Sequence, residues 1–144
     1  MATEPYLLDL NVLIALAWPQ HIHHARAHAW FDTLTRPWAT TPTTESGFLR
    51  LSTNPAFVGE TVPMVQAITT LQSIRSTRGH VFVSDGSSLA ESTISLERVA
   101  TPRQVTDAHL VNLAATSGAV LATLNRGVVE LVAPRDRAHV FVLP

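Results

Sequence analysis

The chain has 144 residues, 46% of them hydrophobic, and a formal net charge of -1 at pH 7, so it can bury one full domain core without a stabilising disulfide or metal. It contains no cysteine, and all ten of its Lys and Arg positions are arginine. These absences exclude thiol nucleophiles, zinc-thiolate sites, Schiff-base enzymes and lysine-dependent phosphate loops.

Neither a membrane span nor a secretion signal is predicted. The most apolar early run, residues 10–18, is far shorter than the ~20 residues that a spanning helix needs. Asp9 stands just before it and no basic residue precedes it, which argues against a signal peptide. We therefore expect a soluble, cytoplasmic protein, whose contacts with nucleic acid would depend on local arginines and bound cations.

Short apolar runs alternate with segments of helical spacing along the chain. The runs cover residues 6–10, 81–83, 119–124 and 140–143, and a further short strand is expected within the Thr/Pro-rich residues 33–44. The segments between them carry apolar residues at helical spacing: Ile22, Ala25, Ala29 and Leu34; Met64, Ile68 and Leu71; Leu110, Leu113 and Ala114. The alternation predicts a mostly parallel sheet with helices on both faces and a site beyond the carboxyl ends of the strands.

Three carboxylates stand at positions where an apolar residue is expected. Asp9 ends the first apolar run, and Glu45 shares a helix face with Phe48. Asp107 precedes Leu110 on another predicted helix. Burying several carboxylates together is costly because each raises the pKa of the others, and a bound divalent cation offsets that cost. Magnesium prefers such oxygen ligands and promotes phosphodiester hydrolysis.

Simpler roles exist for each acid taken singly. Asp9 fits the start of a turn, Glu45 fits a helix cap, and Asp107 fits the N-terminal end of a helix dipole. Because the three positions are far apart in the chain, spacing alone does not show that they converge.

Four segments in order resemble the PIN-domain VapC toxins, the ribonucleases of VapBC toxin-antitoxin pairs. Residues 7–16 (LLDLNVLIAL) resemble the opening strand and helix of that family, and residues 24–31 (HARAHAWF) its next helix. Residues 45–55 (ESGFLRLSTNP) and 106–114 (TDAHLVNLA) resemble two further motifs, and residues 122–124 (ATL) the end of the fourth strand. The resemblance spans nearly the whole chain.

The resemblance implies a single PIN domain over residues 1–144, with a three-layer α/β/α fold around a mostly parallel sheet of four or five strands. It implies an endoribonuclease dependent on Mg²⁺, with Mn²⁺ able to substitute, in which metal-activated water cleaves structured RNA. Asp9, Glu45 and Asp107 are carried over as catalytic metal ligands. A VapB-like antitoxin and a homodimer are the implied partners.

One position departs from the family pattern. Many relatives have a fourth aspartate where this chain has Asn125, whose amide can ligate an ion but brings no charge. Glu130 lies nearby in sequence. We expect one firmly held ion, and the sequence leaves open whether a second ion binds.

Three more residues are candidates for supporting roles. Arg50 lies one turn after Glu45, where it suits a substrate phosphate or an acidic partner equally. Asn11 and Thr123 suit the orientation of a ligand carboxylate or water, although ordinary hydrogen bonding at strand ends explains them as well.

Histidines and other charged residues have simpler interpretations. His21, His24 and His28 have zinc-like helical spacing, but no carboxylate or cysteine completes a ligand set, so packing is favoured. His109 is expected at the surface or in the core, and Asp85 in a turn.

Two other functions stay open: a catalytically weakened PIN-fold module that binds RNA or protein, and a DNA-cutting nuclease of the same fold.

Overall fold

A computed structural model describes residues 3–144; Met1 and Ala2 of the predicted domain lie outside the described residues. The strands are β1 (Tyr6–Leu8), β2 (Trp38–Thr40), β3 (His80–Phe82), β4 (Val120–Thr123) and β5 (Val140–Val142). The helices are α1 (Leu10–Ala17), α2 (His24–Phe31), α3 (Pro42–Ser52), α4 (Pro55–Val58), α5 (Met64–Arg75), α6 (Val105–Thr116) and α7 (Gly127–Leu131). Short 3-10 helices cover Leu89–Glu91, Pro102–Gln104 and Pro134–His139.

The five strands form one sheet in the order β3-β2-β1-β4-β5, and all neighbours pair in parallel. This confirms the predicted sheet, with five strands and wholly parallel pairing. The central strands are apolar because both of their faces are covered, as parallel sheets require. At the edge, β3 leaves Val81 and Phe82 exposed.

Alternate residues of the central strands point to two separate helix layers. Leu7, Ala39 and Leu121 pack with α6 and α7. Leu8, Trp38 and Ala122 pack on the other face with α1, α2, α3 and α5. The two layers confirm the predicted α/β/α arrangement.

Two predicted apolar stripes do not mark the buried faces of their helices. In α2 the buried residues are Ala27 and Trp30, whereas Ile22 lies before the helix and is 87% exposed. In α5 the buried residues are Ala67 and Leu71, and Ile68 faces outward. The helices were predicted correctly, but of these stripes Leu71 is buried whereas Ile22 and Ile68 are exposed, because exposed apolar side chains fit the same spacing as buried ones.

The winding of the chain reverses beside β1. From β1 the chain adds β2 and β3 on one side, and then crosses to place β4 on the other side. Open parallel sheets bind ligands at such a reversal, in the crevice outside the carboxyl ends of the strands. A binding site is therefore expected at the carboxyl ends of β1 and β4.

Candidate functional site

Asp9 follows β1 at this reversal and caps α1. Its Oδ1 accepts a hydrogen bond of 2.8 Å from the backbone N–H of Leu10, and its Oδ2 accepts one of 2.7 Å from Thr123 Oγ1. These two hydrogen bonds fix the orientation of the carboxylate, and the residue is only 4% exposed. Burial raises the pKa of Asp9, while the bonds from Thr123 and Leu10 act in the opposite direction.

Asn11 and Thr123 hold Asp9 between the ends of β1 and β4. Asn11 Nδ2 donates to Thr123 Oγ1 at 3.1 Å and lies 3.4 Å from Asp9 Oδ2. Asn11 Oδ1 accepts from the backbone N–H of Leu124 at 3.1 Å. These bonds suit both interpretations made from sequence, since they join the strand ends and also orient a carboxylate.

Asp107 lies in the first turn of α6 and lines the same crevice as Asp9. The crevice has a volume of ≈ 210 Å³. Burial and the nearby charge of Asp9 together raise the pKa of Asp107 to about 6. Two carboxylates from distant parts of the chain thus share one desolvated space.

The remaining walls of the crevice come mainly from α3 and α6. Arg50 is exposed and lies at this wall, and it forms no ion pair with any of residues 3–144. A guanidinium without a protein partner remains able to bind an added phosphate. The other lining residues are Leu10, Thr43, Thr44, Gly47, Thr106 and Leu110.

Glu45 does not line this crevice, although Thr44 before it does. Its Oε2 accepts a 2.6 Å hydrogen bond from Thr40 Oγ1 and lies 3.6 Å from Arg75 Nε. Thr40 Oγ1 also lies 2.7 Å from Nε2 of His80. The structure therefore brings Asp9 and Asp107 together and gives Glu45 a separate set of partners.

Asn125 has a local structural role. Its Oδ1 accepts from the backbone N–H of Gly127 at 2.9 Å, a local bond to the first residue of α7. Glu130 is exposed on α7. Neither side chain lines the crevice around Asp9 and Asp107.

The histidines of α2 serve helix packing. His24 Nδ1 lies 2.7 Å from the carbonyl oxygen of Ala15, and His28 Nε2 lies 2.9 Å from that of Leu16. Both carbonyls belong to the last turn of α1, where backbone acceptors have no partner within the helix. A packing role, favoured from sequence, explains these contacts without zinc.

Sequence reasoning missed the links made by Asp85. Its Oδ2 accepts from Thr43 Oγ1 at 2.5 Å, and its Oδ1 lies 2.6 Å from His109 Nε2. Asp85 thus joins α3 to α6 beside the crevice. The partners Arg75 and Thr40 of Glu45 were missed too, because no motif connects residues so distant in the chain.

Relatives among characterised proteins decide the family. The chain is 44% identical over 138 residues to ribonuclease VapC38 of Mycobacterium tuberculosis, an alignment that covers 95% of this chain and 96% of that protein. The chain belongs to the VapC family.

Two more VapC proteins of the same organism support the assignment. Ribonuclease VapC39 is 41% identical over 126 residues, covering 86% of this chain and 91% of that protein. Ribonuclease VapC44 is 35% identical over 130 residues, an alignment that covers 89% of this chain and 91% of that protein. No family model matches the chain.

The crevice of this VapC protein fits a hard divalent cation by its chemistry. Asp9 and Asp107 offer carboxylate oxygens, which magnesium prefers, and burial raises the pKa of both carboxyl groups. Within residues 3–144, however, no three His, Asp or Glu side chains stand close enough together to hold an ion. Mg²⁺ often takes only one or two carboxylates, with water and phosphate as its other ligands.

Proposed function

We propose that this VapC protein is the ribonuclease toxin of a toxin-antitoxin pair and hydrolyses a phosphodiester bond of structured RNA with the help of Mg²⁺ or Mn²⁺. The observation that carries the proposal is the pair Asp9 and Asp107 in one crevice at the reversal of the sheet. The VapC38, VapC39 and VapC44 relatives, each named a ribonuclease, support the activity.

Asp9 and Asp107 would hold the ion, and Glu45 stays the proposed third acid, although its carboxylate bonds to Thr40 and lies beside Arg75 in the structure. The ion, when bound, supplies polarisation of the phosphate and offsets charge on the departing oxygen. Thr123 and Asn11 keep the Asp9 carboxylate in one orientation through their bonds to it and to each other.

Arg50 is the proposed contact for the RNA backbone. Its guanidinium borders the crevice and is exposed, so a phosphate entering beside Asp9 and Asp107 meets an unpaired donor. The formal net charge of -1 supplies no general attraction for RNA. Binding therefore depends on this local arginine and on the cation.

The partners follow from the same family assignment. We propose a VapB-like antitoxin and a homodimer, with residues 3–144 belonging to a single PIN domain. No helix within residues 3–144 has the length and apolar character needed to cross a membrane. A cytoplasmic location is proposed because the RNA substrates are there.

The activity is tested by cleavage of a structured RNA by the pure chain. We expect cleavage only with added Mg²⁺ or Mn²⁺, and a loss of at least about 100-fold in Asp107→Asn, since a charged ligand is lost. Glu130→Gln is the matched control, because Glu130 is an exposed carboxylate outside the crevice. Full cleavage in excess chelator would refute the metal role, and equal cutting of a matched DNA would favour a DNA nuclease.

A weakened module that binds RNA or protein without cleaving it is the second candidate. The observation in its favour is Asn125, an uncharged residue that bonds to the backbone N–H of Gly127 at the position where the resemblance implies an acid. Expression of the chain in a bacterial host separates the two. A toxin arrests growth, and co-expression of its VapB-like antitoxin relieves the arrest, whereas a binding module does neither.

A further inference from the structure

The two walls of the crevice belong to different helix layers. One wall is α3, whose Phe48 packs with α1 on one face of the sheet. The other wall is α6, whose Leu110 packs on the opposite face. No hydrogen bond among residues 3–144 joins α3 directly to α6. The separation of the walls therefore depends on the sheet between them and on any side chain that bridges the opening.

The two aspartates of the crevice are held by different layers. Asp9 caps α1, and α1 approaches α3 so closely that a Cβ added at Gly47 would lie 2.8 Å from Leu10 Cδ2. This packing holds Asp9 and the α3 wall together. Asp107 lies in the first turn of α6, in the other layer. An ion that takes an oxygen from each aspartate therefore bridges the layers, and its affinity depends on how accurately they are placed.

Asp85 bonds to both walls, with one carboxylate oxygen for each. It lies in the loop that follows β3, at the carboxyl edge of the sheet. Oδ2 accepts from Thr43 Oγ1 of α3 at 2.5 Å, and Oδ1 accepts from His109 Nε2 of α6 at 2.6 Å. The side chains of Asp85 and His109 are only 24% and 20% exposed, so water competes little for these bonds. We call this set of three side chains the Asp85 bridge.

We propose that Asp85 is a positioning residue that fixes the separation of the crevice walls and thereby the selectivity of the crevice for a small divalent cation. The inference rests on the proposed metal site. Thr43 lines the crevice, and His109 follows Asp107 by two residues on α6, so the Asp85 bridge restrains both walls near the aspartates. Mg²⁺ requires short, nearly octahedral bonds, whereas Ca²⁺ accepts longer and less regular ones. Loss of the bridge should therefore weaken Mg²⁺ binding more than Ca²⁺ binding.

Calorimetric titration with Mn²⁺, followed by competition with Mg²⁺ and with Ca²⁺, tests this without RNA. We expect Asp85→Asn and His109→Leu each to bind Mg²⁺ about tenfold more weakly than wild type, as for other groups that orient metal ligands, and to lose less affinity for Ca²⁺. The control is Glu91→Gln, which removes a carboxylate from the same loop. Glu91 is exposed and forms no ion pair with residues 3–144, so its loss should change neither affinity. Thermal melting shows which variants fold.

His109→Leu separates positioning from simple attraction between Asp85 and the cation. It keeps the Asp85 carboxylate, so attraction alone predicts undiminished affinity, whereas loss of the bridge predicts weaker binding. Thr43→Val should behave like His109→Leu, and Thr43→Ser, which keeps the hydroxyl, should bind like wild type; this pair carries the test if His109→Leu fails to fold.

Two results would overturn the inference: equal losses of Mg²⁺ and Ca²⁺ affinity, or undiminished Mg²⁺ affinity in the folded variants that lack one bond of the Asp85 bridge. Failure of the wild-type chain to bind Mn²⁺, or binding insensitive to Asp9→Asn, would instead refute the proposed metal site, and the inference with it.

Discussion

At the scale of single residues, the site consists of carboxylates whose surroundings disfavour their charge. Asp9 is buried and receives hydrogen bonds from Thr123 and Leu10, but these do not cancel the effect of burial on its pKa. Asp107 is half-buried and faces the charge of Asp9. At pH values between the ordinary and the raised pKa of Asp107, the folded chain therefore binds protons in this crevice that the unfolded chain would release.

Asp107→Asn should stabilise the metal-free chain at pH 7. The pKa of Asp107 rises from 3.8 to about 6 on folding, so between those pH values the folded state binds more protons and stability falls as pH rises. Urea unfolding in chelator should show a gain on the order of 1 kcal/mol at pH 7, allowing for the screening of a partly exposed group. The gain should shrink towards pH 4.

Added Mn²⁺ provides the control for that measurement. A cation that binds the folded state should stabilise the wild-type chain more than Asp107→Asn, and thus reduce or reverse the difference at pH 7. A variant less stable than wild type in chelator at pH 7 would show that Asp107 contributes structural bonds that outweigh its unfavourable charge.

The sequence predicted residues at the strand ends better than it predicted their partners. Asp9, Asn11 and Thr123 were assigned from their places at the ends of apolar runs, and parallel strands bring such ends together. The partnership of Glu45 with Arg75 depends on how α3 packs against α5, which spacing within one helix does not reveal. Asn125 bonds to the backbone N–H of Gly127, two residues further on, as Asn side chains readily do.

At the scale of elements, the chain shows why helices were predicted more reliably than their buried faces. The spacing of apolar residues predicted α2 as a helix. Its contacts with α1, however, include the polar side chains of His24 and His28, which bond to backbone carbonyls of α1. Polar residues that complete the end of a neighbouring helix contribute to packing without any apolar signal. The predicted fold class was still correct, because it depends on the order of helices and strands and not on which face of each helix is buried.

His28→Ala should destabilise the chain by about 1 kcal/mol, the typical contribution of one hydrogen bond. The lost bond is that between Nε2 and the Leu16 carbonyl, which belongs to the end of α1. Urea unfolding measures the change, and His139→Ala is the control because the His139 side chain forms no hydrogen bond with residues 3–144. If added Zn²⁺ raised the melting temperature of the wild-type chain but not that of His28→Ala, the packing role would be contradicted.

At the scale of the whole molecule, two concave surfaces formed by residues 3–144 have different chemistry. The crevice of Asp9 and Asp107 lies at the carboxyl ends of the strands. A larger groove of ≈ 410 Å³ lies between α1, α4 and α5, and Trp18 packs against Phe57 there at 5.0 Å between ring centroids. The larger groove has no pair of facing carboxylates. Cavity volume alone would therefore not have identified the crevice proposed to bind a metal ion.

The outer face of α5 leaves apolar side chains in water. Val65 is 76% exposed, and Met64 and Ile68 lie beside it at helical spacing with 48% and 38% exposed. Contiguous exposed apolar side chains are typical of surfaces that bind another protein. This face is the one that we expect to be covered in the proposed homodimer.

If the chain forms the proposed homodimer through this face, the double variant Val65→Glu, Ile68→Glu should be a monomer. Two carboxylates at a closed apolar contact would be desolvated without partners, a cost that exceeds the gain of a modest interface. Light scattering behind a sizing column measures the mass, and circular dichroism checks that the fold is intact. Val105→Glu is the matched control, because Val105 is 47% exposed on α6 of the other helix layer. A dimer that persists in the double variant would place the contact on another face, and a wild-type monomer would leave the α5 face to the antitoxin.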